Sequence, residues 1–112
     1  MDKEEGVDMA KTAVFVIGKA KPGKRDELRK LYMEHIRPRA EAETKQQMAV
    51  YCFSDDDEDT ICLFELFSSP AVAREDMKSD WFEAYMEKVR PLMAEPATVK
   101  LATPVWAKGV SA

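Results

Sequence analysis

Apolar residues in this chain come in short blocks, and the spacing inside each block predicts an element of secondary structure. The first block, "TAVFVIGKA" (residues 12–20), is almost continuously apolar and rich in β-branched residues, which predicts a strand buried on both faces. "QMAVYCF" (47–53) and "TICLFELF" (60–67) predict two more strands, joined by the polar loop "SDDDED". If the turn centres on Asp57, Cys52 faces Cys62 across this hairpin.

Residues 24–43 show the three- and four-residue spacing of an amphipathic helix, which "KPGK" separates from the first strand. The apolar stripe of this helix contains Leu28, Leu31, Tyr32, His35, Ile36 and Ala40. Pro38 lies inside the pattern, so we expect the helix to kink or break near Ile36 and Arg37.

Two shorter helices are predicted after the third strand. "SSPAVARED" begins one of them, with Ser69 as the N-cap and Pro70 at the first helical position. "SDWFEAYMEKVRPLM" (79–93) begins the other, with Asp80 as its cap and Glu83 three residues later.

A last strand is predicted in "ATVKLATPVWAK" (97–108), where apolar and polar residues alternate as far as Val105. Pro104 places this strand at a sheet edge or a bulge. The order β-α-β-β-α-β predicts an α+β, ferredoxin-like split βαβ fold with a four-stranded antiparallel sheet and helices on one face. Because the strands are apolar on both faces, we expect a homodimer in which the uncovered sheet faces of two subunits meet.

Length and charge exclude several classes of protein. The 112 residues favour one domain, which we place at 11–108 between short tails at 1–10 and 109–112. The net charge of −4, without a basic cluster, argues against binding to nucleic acid. No apolar run is long enough to cross a membrane and the N-terminus is acidic, so a cytoplasmic protein is expected. The two cysteines are expected to be reduced thiols.

Five motifs occur in an order that resembles the antibiotic biosynthesis monooxygenase family of the dimeric α/β-barrel superfamily. They are "KPGKRDEL", "H..PRAE", "DxxDT..LFE", "KSDWFEAY" and "AEP" before the last strand, and with the first and last strands the resemblance covers about residues 12–106. The resemblance implies a homodimeric α/β barrel with a pocket between sheet and helices in each subunit. Some members of the family oxidise quinol or anthrone-like aromatics with O₂, without metal or flavin, so no cofactor is expected. Others degrade haem or isomerise small molecules, and the fold alone does not fix the chemistry.

The chain departs from the family pattern at positions that matter for chemistry. "DMKSDWF" has Asp76 and Trp81 where many members have histidines. The place of the haem-ligating histidine corresponds to Met86, which argues against haem degradation. In the third strand, Leu63 and Phe67 replace an asparagine and a tryptophan of some relatives.

His35 is the only histidine, and it is the candidate general base because an imidazole titrates near neutral pH. The alternative is a histidine packed at the boundary between helix and sheet. Glu65 lies in an apolar strand and must pair, stay protonated or face a wet cavity. It is a candidate substrate contact, and a purely structural ion pair is the alternative.

The other candidate substrate contacts are mainly aromatic. Trp81 and Tyr85 open the last helix and Phe67 ends the third strand, so they can bind a planar ring if they are not plain core residues. Arg39 is a candidate for an anionic group, or it is a solvated residue at a helix end. Two functions follow: a cofactor-independent monooxygenase acting on a small aromatic or quinol-like substrate, or a non-catalytic binding dimer or isomerase of the same fold.

Overall fold

The computed structural model describes residues 11–110, and the expected N-terminal tail therefore lies outside the described residues. Residues 11–110 form four strands and four α-helices, with a short 3₁₀ helix before the last strand. In chain order the elements are β1 (Thr12–Lys19), α1 (Arg25–His35), α2 (Arg37–Ala42), β2 (Gln46–Phe53), β3 (Thr60–Phe67), α3 (Pro70–Lys78), α4 (Asp80–Val89), the 3₁₀ helix Arg90–Leu92 and β4 (Thr98–Ala102).

The strands form one antiparallel sheet in the order β2-β3-β1-β4. This order and the flanking helices confirm the predicted α+β, ferredoxin-like layout. The register places Cys52 directly opposite Cys62, as the hairpin centred on Asp57 predicted. Both cysteines are free thiols.

The helix predicted over residues 24–43 is divided into α1 and α2 at Ile36. Pro38 occupies one of the first two positions of α2. A proline there has no N–H to donate to the preceding turn and its ring clashes with that turn, so one helix cannot continue through it. The predicted interruption near Ile36 and Arg37 is confirmed.

Serine side chains cap both helices that follow β3. The Ser69 hydroxyl accepts a hydrogen bond from the Val72 amide at 3.3 Å, which confirms the predicted cap. Asp80 was predicted to cap α4, and this is wrong, because the Ser79 hydroxyl accepts the bond from the Phe82 amide at 3.3 Å. Asp80 is instead the first helical residue, where its charge favours the positive end of the helix dipole.

The last strand is shorter than predicted, since β4 ends at Ala102. Within the described part of the chain, β4 pairs with β1 alone, and the pairing stops at Ala13–Ala102, one residue from the start of β1. Pro104 then lacks the amide hydrogen that a further strand bond would need. β4 is an edge strand, as Pro104 indicated.

The two faces of the sheet have different surroundings. The inner face packs against the helices. The buried residues between sheet and helices form two clusters, one around Leu28, Ile61 and Val89 and another around Val14 and Phe67. On the outer face, large apolar side chains stay exposed in the single chain: Phe15 (44%), Ile17 (48%) and Val50 (43%). The predicted uncovered apolar face is therefore present.

Arg25, the first residue of α1, fixes the acidic β2–β3 loop. Its Nη1 donates to the carbonyl oxygens of Ser54, Asp57 and Thr60 at 3.4, 3.0 and 3.2 Å. Its guanidinium carbon also lies 3.9 Å from the centre of the Phe53 ring. The guanidinium group of Arg25 therefore fixes the β2–β3 loop to the start of α1.

None of the helices between residues 11 and 110 is both long enough and apolar enough to cross a membrane.

Candidate functional site

A cavity of about 960 Å³ lies between the inner face of the sheet and the helices. This volume is within the range of sites that hold drug-sized molecules. Most of its lining is apolar. The strands contribute Val14, Val16, Leu63 and Phe67, and the helices contribute Leu28, Ile36, Phe82, Tyr85, Met86 and Val89.

Glu65 brings a carboxyl group into this apolar lining. It occupies the middle of the inner face, directly opposite Val14 on β1 and Ala49 on β2. Burial raises the pKa of Glu65 to about 7, and the charge of Asp76 raises it further, while a hydrogen bond with Gln46 opposes these effects. At neutral pH the carboxyl group therefore exists in both its protonated and its ionised form.

Three tyrosines, Tyr32, Tyr51 and Tyr85, line the part of the cavity near Glu65, which we call the tyrosine end. The rings of Tyr32 and Tyr51 are 4.5 Å apart, and Tyr85 lies on the facing side of α4. Burial raises the pKa of Tyr51 to about 12 and raises the pKa values of Tyr32 and Tyr85 still further above the ordinary value. All three hydroxyls are neutral near pH 7 and are available as hydrogen-bond donors.

Tyr32 has a hydroxyl that is both buried and unsatisfied. The residue is only 5% exposed. Its buried hydroxyl oxygen has no hydrogen-bond partner within residues 11–110. Leaving such a group unpaired costs about 1–3 kcal/mol, so native proteins rarely keep one without a reason. A ligand atom that accepts a hydrogen bond would satisfy it.

Charged residues cluster at one side of the cavity, where α2 approaches α3 and α4. The guanidinium carbon of Arg39 lies 4.3 Å from the centre of the Trp81 ring. Burial and the nearby charges of Glu43 and Glu75 raise the pKa of Asp76, while Arg39 opposes the shift. Arg39, Glu43, Asp76 and Trp81, which we call the acidic rim, all line the cavity.

Five of the six residues singled out from the sequence line this one cavity. They are Glu65, Arg39, Phe67, Trp81 and Tyr85. Glu65 and Tyr85 lie at the tyrosine end, where the charge of Glu65 contributes to the raised pKa of Tyr85. Arg39 and Trp81 contact each other at the acidic rim.

His35 was expected on the pocket-lining face of the first helix, and that placement is wrong. The residue is exposed and does not belong to the cavity lining. The buried face of the helix follows Leu28, Tyr32 and Ile36 at four-residue steps, and His35 lies beside that line at the last position of α1. Its nearest ring is that of Tyr85, with ring centres 6.5 Å apart.

The sequence patterns did not identify three residues of the site as possible hydrogen-bonding or ionisable groups. Tyr32 was counted only as part of an apolar stripe, and Tyr51 only as part of a strand. Asp76 was considered only as a replacement for a histidine. Alternation in β2 does place Tyr51 on the same face as Phe53, but the meeting of three tyrosines with Glu65 depends on how α1 and α4 pack.

Among residues 11–110, no group of three or more histidine, cysteine, aspartate or glutamate side chains is placed to hold a metal ion.

Comparison with known proteins connects this architecture to several solved structures. The putative antibiotic biosynthesis monooxygenase from Caulobacter crescentus CB15 has a TM-score of 0.80 and 19% sequence identity, over 92% of this chain and 97% of that one. The putative antibiotic biosynthesis monooxygenase from Chloroflexus aurantiacus J-10-fl has a TM-score of 0.75 and 20% identity, over 91% and 100%. Rv0793 from Mycobacterium tuberculosis has a TM-score of 0.76 and 26% identity, over 88% and 98%.

The resemblance noted in the sequence is thus confirmed as a shared fold over nearly the whole chain. No protein-family profile and no curated protein matches the sequence. Identities this low establish the fold and leave the reaction to be argued from the site.

Proposed function

We propose that this protein is a cofactor-independent monooxygenase that oxidises a small aromatic or quinol-like molecule with O₂ in the cavity between sheet and helices. The observation that carries the proposal is the pairing of a base and a donor: Glu65 with a pKa of about 7, and the unsatisfied hydroxyl of Tyr32. Both line a cavity of about 960 Å³ whose walls are mostly apolar. The fold shared with structures named as putative monooxygenases is consistent with this function.

The chemistry requires a substrate that becomes electron-rich when it loses a proton. Ionised Glu65 takes a proton from a CH₂ group next to an aromatic carbonyl, and Tyr32 donates a hydrogen bond to the enolate oxygen that develops. The carbanion reduces O₂ and forms a carbon–oxygen bond, and protonated Glu65 returns its proton to give a hydroperoxide. Loss of water then leaves a ketone, so that the CH₂ group and O₂ become C=O and H₂O.

In this proposal Glu65, and not His35, is the base. A general base must come within hydrogen-bond reach of the proton that it takes, and Glu65 lines the cavity whereas His35 does not. A base is most effective when its pKa is near the working pH, which fits a value of about 7. The role of His35 stays a prediction, and the experiment below compares the two residues.

An isomerase is the second candidate, and the same pair of residues favours it. A carboxyl group with a pKa of about 7 both takes and returns a proton readily, which is what moving a hydrogen between two carbons requires. The apolar side chains of Leu63 and Phe67 in the lining also fit a protein that binds a ligand without changing it.

We further propose that the working form is a homodimer joined through the outer faces of the two sheets. Phe15, Ile17 and Val50 on this face are each more than 40% exposed in the single chain. An exposed apolar surface on two strands is costly to leave in water, and a second copy offers a matching surface.

The test is oxygen uptake with anthrones and hydroquinones by protein that has been treated with a chelator. With anthrones we expect uptake with formation of the ketone, a decrease in kcat of at least about 100-fold in Glu65→Gln, and a change of less than about threefold in His35→Ala. Glu34→Gln, which removes an exposed carboxylate of α1, is the matched control. Protein-free samples correct for spontaneous oxidation of the anthrones.

Other outcomes would redirect the assignment. A large loss in His35→Ala with normal turnover in Glu65→Gln would return the base to His35. Exchange of substrate hydrogen with deuterated solvent without oxygen uptake would favour the isomerase. Binding with neither uptake nor exchange would favour the non-catalytic dimer.

A further inference from the structure

Acidic residues outnumber basic residues in the cavity lining. Within residues 11–110 the lining contains two arginines, Arg39 and Arg90, and neither lysine nor histidine. It contains four acidic residues, which are Glu43, Glu65, Asp76 and Glu95. An anionic ligand would therefore meet more like charges than opposite charges on entering.

Both arginines already have partners. Arg90 donates from Nη1 and Nη2 to the two carboxylate oxygens of Glu83 at 2.9 and 3.2 Å. A bidentate pair of this kind fixes the orientation of the guanidinium group. Glu83 does not belong to the cavity lining, so the pair directs Arg90 toward a residue outside the cavity.

Arg39 contacts Trp81 at the acidic rim. Its guanidinium group stacks on the Trp81 ring at 4.3 Å, and its charge acts on Asp76. Arg39 was a candidate for binding an anionic group of a substrate. In the structure Asp76 opposes its charge, and with Glu43 the rim contains two acidic residues and one basic residue.

From this arrangement we propose that the cavity selects its ligand by charge: it takes an uncharged hydroxylated aromatic molecule and rejects analogues that carry a carboxylate, sulfate or phosphate group. Glu43 and Asp76 are the residues that determine this specificity. The apolar walls strengthen the effect, because a low-dielectric lining focuses the field of the charges around it. The inference rests on the proposed function for the aromatic class of ligand, and it adds the charge that such a ligand carries.

The hydrogen-bonding groups inside the cavity fit an uncharged ligand with hydroxyl and carbonyl groups. The Tyr32 hydroxyl donates to a carbonyl or phenolic oxygen, and Glu65 accepts from a hydroxyl when ionised or donates when protonated. Neither group needs a charge on the ligand.

The test measures binding and not turnover, so it can fail separately from the oxygenase proposal. The probes are 1,8-dihydroxyanthraquinone and its 3-carboxylate, which share one ring system and are already oxidised. Binding is followed by quenching of Trp81 fluorescence in a Trp106→Phe background, because Trp106 is 76% exposed, does not line the cavity and would obscure the signal.

We expect the uncharged probe to bind at least tenfold more tightly than the carboxylate at pH 7.5 and low ionic strength. In the double variant Glu43→Gln/Asp76→Asn the difference should fall to about twofold. Arg39→Met should change it in the opposite direction and increase the preference, because it removes the cation of the rim. Glu87→Gln, an exposed acid of α4 that does not line the cavity, is the control and should preserve the preference.

Equal or tighter binding of the carboxylate would overturn the proposal. A preference that survives in the double variant would also overturn it, because the discrimination would then be steric. Failure of both probes to bind would overturn the assigned ligand class, whatever the oxygen-uptake experiment shows. Selective binding of the uncharged probe without any oxygen uptake would support charge selection and count against the oxygenase alone.

Discussion

Arg39 and Trp81 join the short helix α2 to the start of α4, with the guanidinium carbon 4.3 Å from the centre of the indole ring. A cation over an indole ring contributes about 0.5–1 kcal/mol at an exposed site. Arg39→Met should therefore lower the free energy of unfolding by less than about 1 kcal/mol and change the emission of Trp81. Fluorescence and urea denaturation in a Trp106→Phe background measure both effects.

Arg37→Met is the matched control for this contact. Arg37 lies in the same helix and makes only an exposed pair with Glu41 at 3.9 Å, so its loss should leave Trp81 emission unchanged. Identical spectra for the two variants would show that the stack with Trp81 does not form in solution.

The raised pKa of Glu65 predicts a specific dependence of stability on pH. Because the pKa rises from 4.5 in the unfolded chain to about 7 in the folded protein, the folded state holds this proton more tightly. The resulting stabilisation is complete below the lower value and is lost as pH rises through the higher one. From pH 4.5 to pH 8 the wild type should lose about 3 kcal/mol relative to Glu65→Gln.

Urea denaturation of both proteins at several pH values checks this expectation. The comparison with Glu65→Gln matters because the pKa of Asp76 is also raised and changes stability in the same direction in both proteins. A difference between wild type and variant that stays constant with pH would mean that Glu65 titrates normally.

The unsatisfied hydroxyl of Tyr32 predicts opposite effects on stability and binding. Tyr32→Phe should keep or raise the free energy of unfolding, by up to about 1 kcal/mol, because the buried group that it removes has no partner. The same change should weaken binding of 1,8-dihydroxyanthraquinone by about tenfold. Urea denaturation and titration with this probe measure the two quantities, and a marked loss of stability would reveal a hidden partner for the hydroxyl.

Arg25 should contribute more to stability than the neighbouring cation Lys24. Arg25→Ala removes three hydrogen bonds to loop carbonyls and the contact with Phe53, which should cost about 2 kcal/mol. Lys24→Ala, next to it, removes only an exposed pair with Glu27 at 3.0 Å and should cost less than about 0.5 kcal/mol. Equal costs in urea denaturation would contradict this account of the loop.

The outer face of the sheet predicts how the protein associates. Ile17→Glu places a charge in the middle of this face and should convert a dimer into a monomer, as measured by sedimentation at micromolar concentration. Ala84→Glu adds the same charge on an exposed position of α4 and should leave the dimer intact. If the wild type is a monomer at this concentration, the proposed homodimer through the outer sheet faces is wrong.

The sequence predicted those elements for which local pattern is enough. The bounds of β3 match the apolar block 60–67, and a proline inside a periodic stretch located the break at Ile36. The cap of α4 could not be decided in this way, because Ser79 and Asp80 are adjacent and both have oxygens suited to a cap. Side-chain geometry decides between them, and local sequence does not contain it.

The site depended on packing that periodicity does not describe. Periodicity gave the apolar stripe of α1 but could not show that Tyr32 points into the cavity while His35 stays outside. Glu65 was recognised because a carboxylate inside an apolar strand is conspicuous. That the hydroxyl of Tyr32 is unsatisfied depends on the positions of all neighbouring polar atoms, which the sequence does not contain.

The two ends of the α1–α2 segment are held very differently, and amide exchange should show this. Arg25 fixes the first turn of α1 to the hairpin through three carbonyl oxygens, whereas α2 buries none of its residues and is connected to α4 by the Arg39–Trp81 contact. A weakly held helix opens without unfolding the rest of the domain. Amide hydrogens of α2 should therefore exchange with solvent long before those of α1.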